Sequence, residues 1–311
     1  MNSRFVVSTG RCGSTMVSRM LSRHPDVLSV SELFSSIQPH AFPTGALSGK
    51  RFWRILAEPQ DAWTSVLRER IEPSELTYPV DAGGRFNRQT GIPPIAAICL
   101  PTLTDNADAM YGELEDAVMQ FPVAPVGDHY RALFSWLARR LGNAVWVERS
   151  GGSLQYVRAI MHHFPGARIL HLHRDGRETA LLMSRHPFFR RQLQAELGRR
   201  GMAQAEIPLE RFALRWSANI LNGTGALASL PAANVRHLSY EQLVAAPEAE
   251  LSRILAFFEL TNPSPEWLTQ AVAEVRRRPT RWTSLPASER ARLERACAVG
   301  ERRRQQLAKC D

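Results

Sequence analysis

Phe5-Val6-Val7-Ser8-Thr9-Gly10-Arg11-Cys12-Gly13-Ser14-Thr15-Met16 is the stretch from which the fold is read. Its first three residues form a β-branched and aromatic run bounded by Ser8-Thr9-Gly10, which predicts a short buried strand. Beyond the glycines, Met16, Val17, Met20 and Leu21 recur on one helical face. Ser18, Arg19, Ser22 and Arg23 occupy the other face, and His24-Pro25 stops the helix. A strand, a loop and a helix N-terminus in that order favour a phosphate or sulfate, because free backbone N–H groups and the positive end of the helix dipole meet there. Gly10 and Gly13 let the backbone approach such an anion, Ser14 and Thr15 add hydroxyl donors, and Arg11 adds a charge. The loop is not a Walker A sequence: no Gly follows Gly10 at the fifth position and no Lys precedes Ser14 or Thr15. A cysteine phosphatase wants its arginine six residues after the nucleophile, and Arg19 lies seven after Cys12. Cys12 therefore reads as a small loop residue, and an ordinary strand-turn-helix connection remains open for the whole segment.

Further along, residues 35 to 130 carry frequent prolines and glycines, with short amphipathic pieces at Trp53–Leu56 and Trp63–Ile71. They predict an insert of helices and loops, the kind of region where specificity resides. Order returns in a helix Tyr130–Leu141, a strand Ala144–Val147 and a helix around Leu154–His163. A strand Arg168–His173 and a helix from about Arg177 to Ser184 follow. Next come a charged helical stretch to Arg200 and a helix carrying Phe212, Trp216 and Ile220. A strand Val235–Leu238 then precedes an amphipathic helix marked by Leu251, Ile254, Leu255 and Phe258. Strands alternating with helices predict an α/β fold with a central parallel sheet covered by helices on both faces.

Of the 311 residues 44% are hydrophobic and 22% charged, which suits a chain with a real core and excludes disordered, collagenous and coiled-coil classes. No apolar run is long enough to span a bilayer, and the first residues lack a signal-peptide pattern, so a cytoplasmic protein is expected. Cys12, Cys99, Cys297 and Cys310 are widely spaced, which predicts reduced thiols and neither a disulfide framework nor a zinc module. The net charge is +9, and residues 276–311 hold ten Arg and one Lys against four acids, a net +7. A chain-wide nucleic-acid footprint is absent, and a solvated helix face is the plainer reading of that tail. His171 and His173 would share one face of a strand, but no carboxylate completes a metal site, so no metal is expected.

Thr9-Gly10-Arg11-Cys12-Gly13-Ser14-Thr15-Met16, then His24-Pro25-Asp26-Val27 and Ser31-Glu32, resembles the opening of sulfotransferases that use 3′-phosphoadenosine 5′-phosphosulfate, especially the tyrosylprotein and related bacterial types. Ile169-Leu170-His171-Leu172-His173-Arg174-Asp175-Gly176-Arg177 is similar to their second donor motif, and Val235–Val244, with Ser239-Tyr240-Glu241-Gln242-Leu243, to a third block. The resemblance covers about residues 4–34 and 130–290. It implies one sulfotransferase-like domain over 1–311, P-loop NTPase-like in topology, with residues 35–130 as acceptor-binding insert and 276–311 as a basic C-terminal segment.

What the resemblance implies for the site is specific. Arg11, Cys12, Gly13, Ser14, Thr15 and Met16 would hold the 5′-phosphosulfate, with Arg11 stabilising charge on the leaving phosphate and sulfuryl oxygens. Glu32 would be the general base that takes the acceptor hydroxyl's proton. Arg174 would grip the donor's 3′-phosphate. The family's partner serine stands eight residues after that arginine, where this chain has Leu182, which leaves Ser184, Arg185 and Thr179 as candidates. Tyr240 would lie close to the nucleotide, Arg281-Trp282 would belong to the segment closing over the donor, and Arg149 would offer a charge on the substrate side. Arg177 would cap its helix or pair with an acid. The implied acceptor is a small-molecule, lipid or peptide hydroxyl, and the chemistry requires no metal. Three competitors stay open: an ATP-using kinase or nucleotide enzyme, a protein binding RNA or an acidic partner through its tail, and a family member that binds donor without turnover.

Overall fold

The run Phe5-Val6-Val7 lies in strand β1 (Arg4–Ser8), every residue of which is buried. The computed structural model describes residues 2–71, 75–81, 83–202, 206–261 and 263–307. Six further strands follow: β2 (Val27–Ser31), β3 (Ala46–Leu47), β4 (Ala124–Pro125), β5 (Val145–Arg149), β6 (Arg168–His173) and β7 (Val235–Ser239). Five of them form the central parallel sheet in the order β2-β5-β1-β6-β7, flanked by helices in a P-loop NTPase-like α/β arrangement. The remaining two, β3 and β4, pair antiparallel at the ends of the predicted insert.

Strand β6 has the predicted bounds, and β7 runs one residue past the predicted one. Two differences bear on the site. Strand β2 was not expected, because Ser29 and Ser31 interrupt the apolar pattern of Val27, Leu28 and Val30, yet all five residues are buried. Strand β5 ends at Arg149 rather than Val147, so Glu148 and Arg149 lie within the sheet, where Val30 pairs Glu148 and Ser31 pairs Arg149. The helix expected at Leu154–His163 begins as a 3-10 turn, Ser153–Tyr156, and becomes α-helical over Val157–His163.

The chain divides into two compact units. The first comprises Met1–Phe5, Leu21–Ser150 and Ala159–Ala167. Its core is aromatic: Phe5 meets Phe164 at 4.8 Å and Trp146 at 5.7 Å, and Phe34 meets Tyr130 at 4.9 Å. Such pairs add about 0.5–1.5 kcal/mol each beyond their buried area. Phe52, Trp53, Tyr78 and Tyr111 of the insert are buried as well, so these rings build core rather than an open surface. Trp63, Leu67, Leu76, Ile92, Pro94 and Ala97 line a small, largely apolar recess in the insert.

The second unit comprises Val6–Met20, Gly151–Arg158 and Arg168–Asp311. The helix Leu209–Leu227 is its centre, and Trp216 on it is fully buried. A Cβ at Gly176 would stand 2.2 Å from Trp216, and one at Gly300 2.6 Å, so absent side chains let two other helices close on that ring. The C-terminal helix Ala287–Leu307 buries Leu293, Cys297, Gly300, Glu301 and Leu307, making the arginine-rich segment partly core as well as solvated face. Cys12, Cys99 and Cys297 are buried free thiols, and Cys310 lies outside the described residues. Among the described residues no helix is long and apolar enough to cross a membrane.

Candidate active site

In the second unit the loop after β1 turns sharply: Gly10, Arg11 and Gly13 have φ of 86°, 57° and 93°. Gly10 donates its N–H to Ser8 Oγ (3.2 Å), and the Gly13 carbonyl accepts from Met16 at the start of the helix Ser14–Ser22 (2.9 Å). Cys12 is fully buried, with its Sγ 3.5 Å from the Leu172 carbonyl. Burial raises its pKa, against opposing effects of Ser8 and Arg174, which favours the thiol form at neutral pH. Thr15 is exposed, and Met16 Sδ accepts the Arg276 N–H at 3.5 Å.

Arg174 follows directly on β6, at the carboxyl end where open parallel sheets bind ligands. It is buried, with its guanidinium 4.2 Å from the centre of the Tyr240 ring. Tyr240 is held at the first position of its helix by a capping box: Ser239 Oγ accepts the Gln242 N–H and the Gln242 side chain accepts the Ser239 N–H, both at 3.0 Å. The ring's other neighbour is Gly13, where a Cβ would approach to 2.7 Å. Loop, tyrosine and arginine thus form one packed series.

Glu178, one helical turn beyond Arg174, is buried, with Oε1 at 3.8 Å from Arg174 Nη2. Its Oε2 accepts the N–H groups of Arg281 (2.7 Å) and Trp282 (3.2 Å). The Tyr240 hydroxyl accepts the Arg278 N–H at 2.9 Å and donates to the Arg276 carbonyl at 3.2 Å. The segment 276–282 is therefore tied to Arg174's two neighbours through its backbone. The Arg281 side chain is exposed, and the Trp282 ring stacks under Arg177 at 4.2 Å.

The loop bearing Arg174 is clamped from its far side. Asp175 caps the helix Gly176–Ser184 by accepting the Arg177 N–H (2.9 Å), and its side chain pairs with that of Arg177. Burial opposes ionisation of Asp175, but Arg177 outweighs it and the pKa is lowered. Glu241 accepts the Asp175 N–H at 3.0 Å, and Glu301 on the C-terminal helix accepts the buried Gly176 N–H at 2.6 Å. Arg304 holds Glu301 through two nitrogens. Thr179 and Ser184 donate their hydroxyls to carbonyls of their own turns, Asp175 and Leu181, both at 2.9 Å, and Arg185 is exposed. None of these three is drawn into the Arg174 cluster by a described hydrogen bond, whereas Glu178, unmarked in the sequence reading, is. Its signal was the i, i+4 spacing from Arg174.

In the first unit Glu32 heads the short helix Leu33–Ser36 in a left-handed conformation, φ 59° and ψ 17°. Arg149 Nη1 donates to Glu32 Oε1, and Ser35 Oγ donates to Oε2 at 2.5 Å. Arg149 is buried, and its Nη2 donates to Ser31 Oγ at 3.2 Å. Glu148 is wholly buried, accepts the Ser150 hydroxyl at 2.5 Å, and is raised to about 8 by burial.

His171 and His237, register partners on β6 and β7, place their Nδ1 atoms 2.9 Å apart. Burial pushes His173 down to about 3 and His237 to about 4, and His171 well below its usual range. Among the described residues no group of three or more His, Cys, Asp or Glu could hold a metal ion.

A parallel α/β sheet with a glycine-bearing loop after β1 and a buried arginine after β6 is a P-loop-like α/β arrangement. The sulfotransferase family model matches residues 101–264, more than half of the chain, and the chain belongs to that family and is an enzyme of it. That match includes Arg149, Arg174 and Tyr240 and leaves out Arg11 and Glu32. The fold is similar to that of the sulfotransferase domain from the curacin biosynthetic pathway, at 14% identity and TM-score 0.57, covering 99% of this chain and 98% of that one. It is also similar to the sulfotransferase domain of the Synechococcus PCC 7002 olefin synthase, at 16% identity and TM-score 0.50, covering 100% and 94%. No curated protein matches the sequence.

Proposed function

We propose that this sulfotransferase moves a sulfuryl group from 3′-phosphoadenosine 5′-phosphosulfate to the hydroxyl of an acceptor. The observation that carries the reading is the Gly13–Tyr240–Arg174 series, in which a tyrosine ring packs against the anion loop on one side and a buried guanidinium on the other. The residues suit the donor. Gly10 and Gly13 let the loop turn at positive φ with the Phe189 and Tyr240 rings packed where a Cβ would stand, and Arg174 offers a guanidinium already desolvated, which strengthens its pull on a phosphate.

In this reading Arg11 and the loop through Met16 receive the 5′-phosphosulfate, and Arg174 the 3′-phosphate. The acceptor oxygen forms a bond to sulfur as the bond from sulfur to the phosphate oxygen breaks. Glu32 takes the hydroxyl proton, and adenosine 3′,5′-bisphosphate leaves with the electron pair of the broken bond. Loop N–H groups and Arg11 offset the charge that develops on the departing phosphate. Glu32 is suited to the base role because Arg149 and Ser35 fix both its oxygens before any acceptor arrives.

The test is thermal unfolding with adenosine 3′,5′-bisphosphate beside AMP and ATP, since a ligand that binds only the folded state raises its stability by RT ln(1 + [L]/Kd). A shift confined to the 3′-phosphorylated nucleotide and lost in Arg174→Ala is expected. An equal or larger shift with ATP would return the chain to the nucleotide-enzyme alternative.

A further inference from the structure

Glu32 occupies a backbone conformation that glutamate avoids. A non-glycine residue in the left-handed region costs on the order of 1–3 kcal/mol and persists where its surroundings over-determine it. The conformation has a second consequence: Glu32 stands at the cap position of the helix Leu33–Ser36, yet its side chain makes no cap hydrogen bond. The amides at the start of that turn need acceptors from elsewhere.

They find them at the end of β5. Ser150 Oγ accepts the Ser35 N–H at 3.2 Å and donates to Glu148 Oε1 at 2.5 Å. The Arg149 carbonyl accepts the Glu32 N–H at 2.8 Å, and the Glu32 carbonyl accepts the hydroxyls of Ser35 (3.0 Å) and Ser36 (2.7 Å). Glu148 is 0% exposed, so it acts on this turn rather than on any substrate. We propose that Glu148 and Ser150 are positioning residues: Ser150, oriented by Glu148, caps the turn in place of Glu32 and so holds the Glu32 carboxylate, with its Arg149 and Ser35 partners, in the orientation that meets the acceptor. The inference rests on Glu32 being the base.

Charge fits the arrangement. Burial raises Glu148 to about 8, with Ser150 and Arg149 opposing and Glu32 adding to the rise, so at neutral pH it is an uncharged carboxyl. The ionisable groups around it are Glu32, Arg149, Cys99 on the turn Ile95–Cys99 and Tyr130 on the helix Val126–Arg140. A neutral Glu148 leaves the Arg149 cation to Glu32 alone.

The test compares the full chain with Glu148→Gln, Glu148→Ala, Ser150→Ala and Glu32→Gln. Hydrogen exchange of the segment around residues 28–40 reads the turn without any substrate. Exchange about tenfold faster in Glu148→Ala and Ser150→Ala is expected, with Glu148→Gln, which keeps a neutral acceptor oxygen, close to the native rate. Wild-type protection in both Glu148→Ala and Ser150→Ala overturns the proposal, and Ser150→Ala decides alone if Glu148→Ala does not fold. Turnover of 3′-phosphoadenosine 5′-phosphosulfate with 4-nitrophenol, where it proceeds, supplies the second reading. The two disruptive variants should lose about tenfold or more in kcat with donor KM within about twofold, and Glu148→Gln should restore kcat. Native kcat in those variants beside an inactive Glu32→Gln overturns the positioning role, whereas full activity of Glu32→Gln overturns the base reading itself.

Discussion

Gly13 answers two demands at once. Its φ of 93° suits glycine, and a Cβ there would stand 2.7 Å from Tyr240 Cδ2, a ring that cannot yield because it packs on Arg174 and its hydroxyl grips the 276–278 backbone. Gly13→Ala should therefore destabilise the protein by about 1–3 kcal/mol and weaken nucleotide binding as well. Denaturant unfolding with and without adenosine 3′,5′-bisphosphate checks both, and an unchanged midpoint in both would remove the packed series. Glu178 supplies the companion case. Its carboxylate holds two backbone N–H groups and faces Arg174, so Glu178→Gln keeps an acceptor oxygen while losing the charge. If the buried carboxylate competes with a phosphate for that guanidinium, Glu178→Gln should bind adenosine 3′,5′-bisphosphate about as tightly as the native chain or tighter. A calorimetric Kd tenfold weaker would show that the charge of Glu178 is needed to orient Arg174.

The elements whose side chains announce their period were legible before their contacts were. Strand β6 was read from Ile169-Leu170-His171-Leu172, and the helix Leu209–Leu227 from Phe212, Trp216 and Ile220, because burial on a strand or a helix stripe demands apolar residues at those spacings. Strand β2 escaped because two buried serines broke its apolar run, and the extension of β5 escaped because Glu148 and Arg149 read as a strand's polar end. Arg174 and Tyr240 were legible through their motif blocks, but Glu301 was not: its partner Gly176 lies 125 residues away, and no local pattern records such a pairing. The C-terminal helix then carries its own prediction. Because Glu301 holds the Gly176 amide and Gly300 packs on Trp216, removing residues 287–311 should unfold the second unit rather than trim a charged tail. Near-ultraviolet circular dichroism of the truncated chain decides: a native spectrum with reduced polyanion binding would favour the tail-binding alternative.

For the whole molecule, pH acts on two sets of buried groups through the folding equilibrium. His173, His237 and His171 are held below their ordinary value of 6.5, with His173 at about 3 and His237 at about 4. The unfolded chain binds protons that the folded chain refuses as pH falls below about 6.5, so stability declines on acidification. Glu148 runs the other way. Its folded pKa, about 8, exceeds the ordinary 4.5, so its contribution is complete below about 4.5 and is lost as pH rises toward about 8. Between 4.5 and 6.5 the two oppose each other, and three histidines outweigh one glutamate; from 6.5 to 8 the glutamate acts without them. The two sets together place their combined optimum near pH 6.5, with a shallower fall on the alkaline side. Glu148→Gln does not titrate, so the difference in unfolding free energy between it and the native chain should shift with pH across 4.5–8 and level off above, while the acid-side loss persists in both. A difference that stays constant with pH would mean that Glu148 is ionised in the folded protein. Arg149 would then face two carboxylates in place of one, and the neutral carboxyl beside the Glu32 turn would have to be given up.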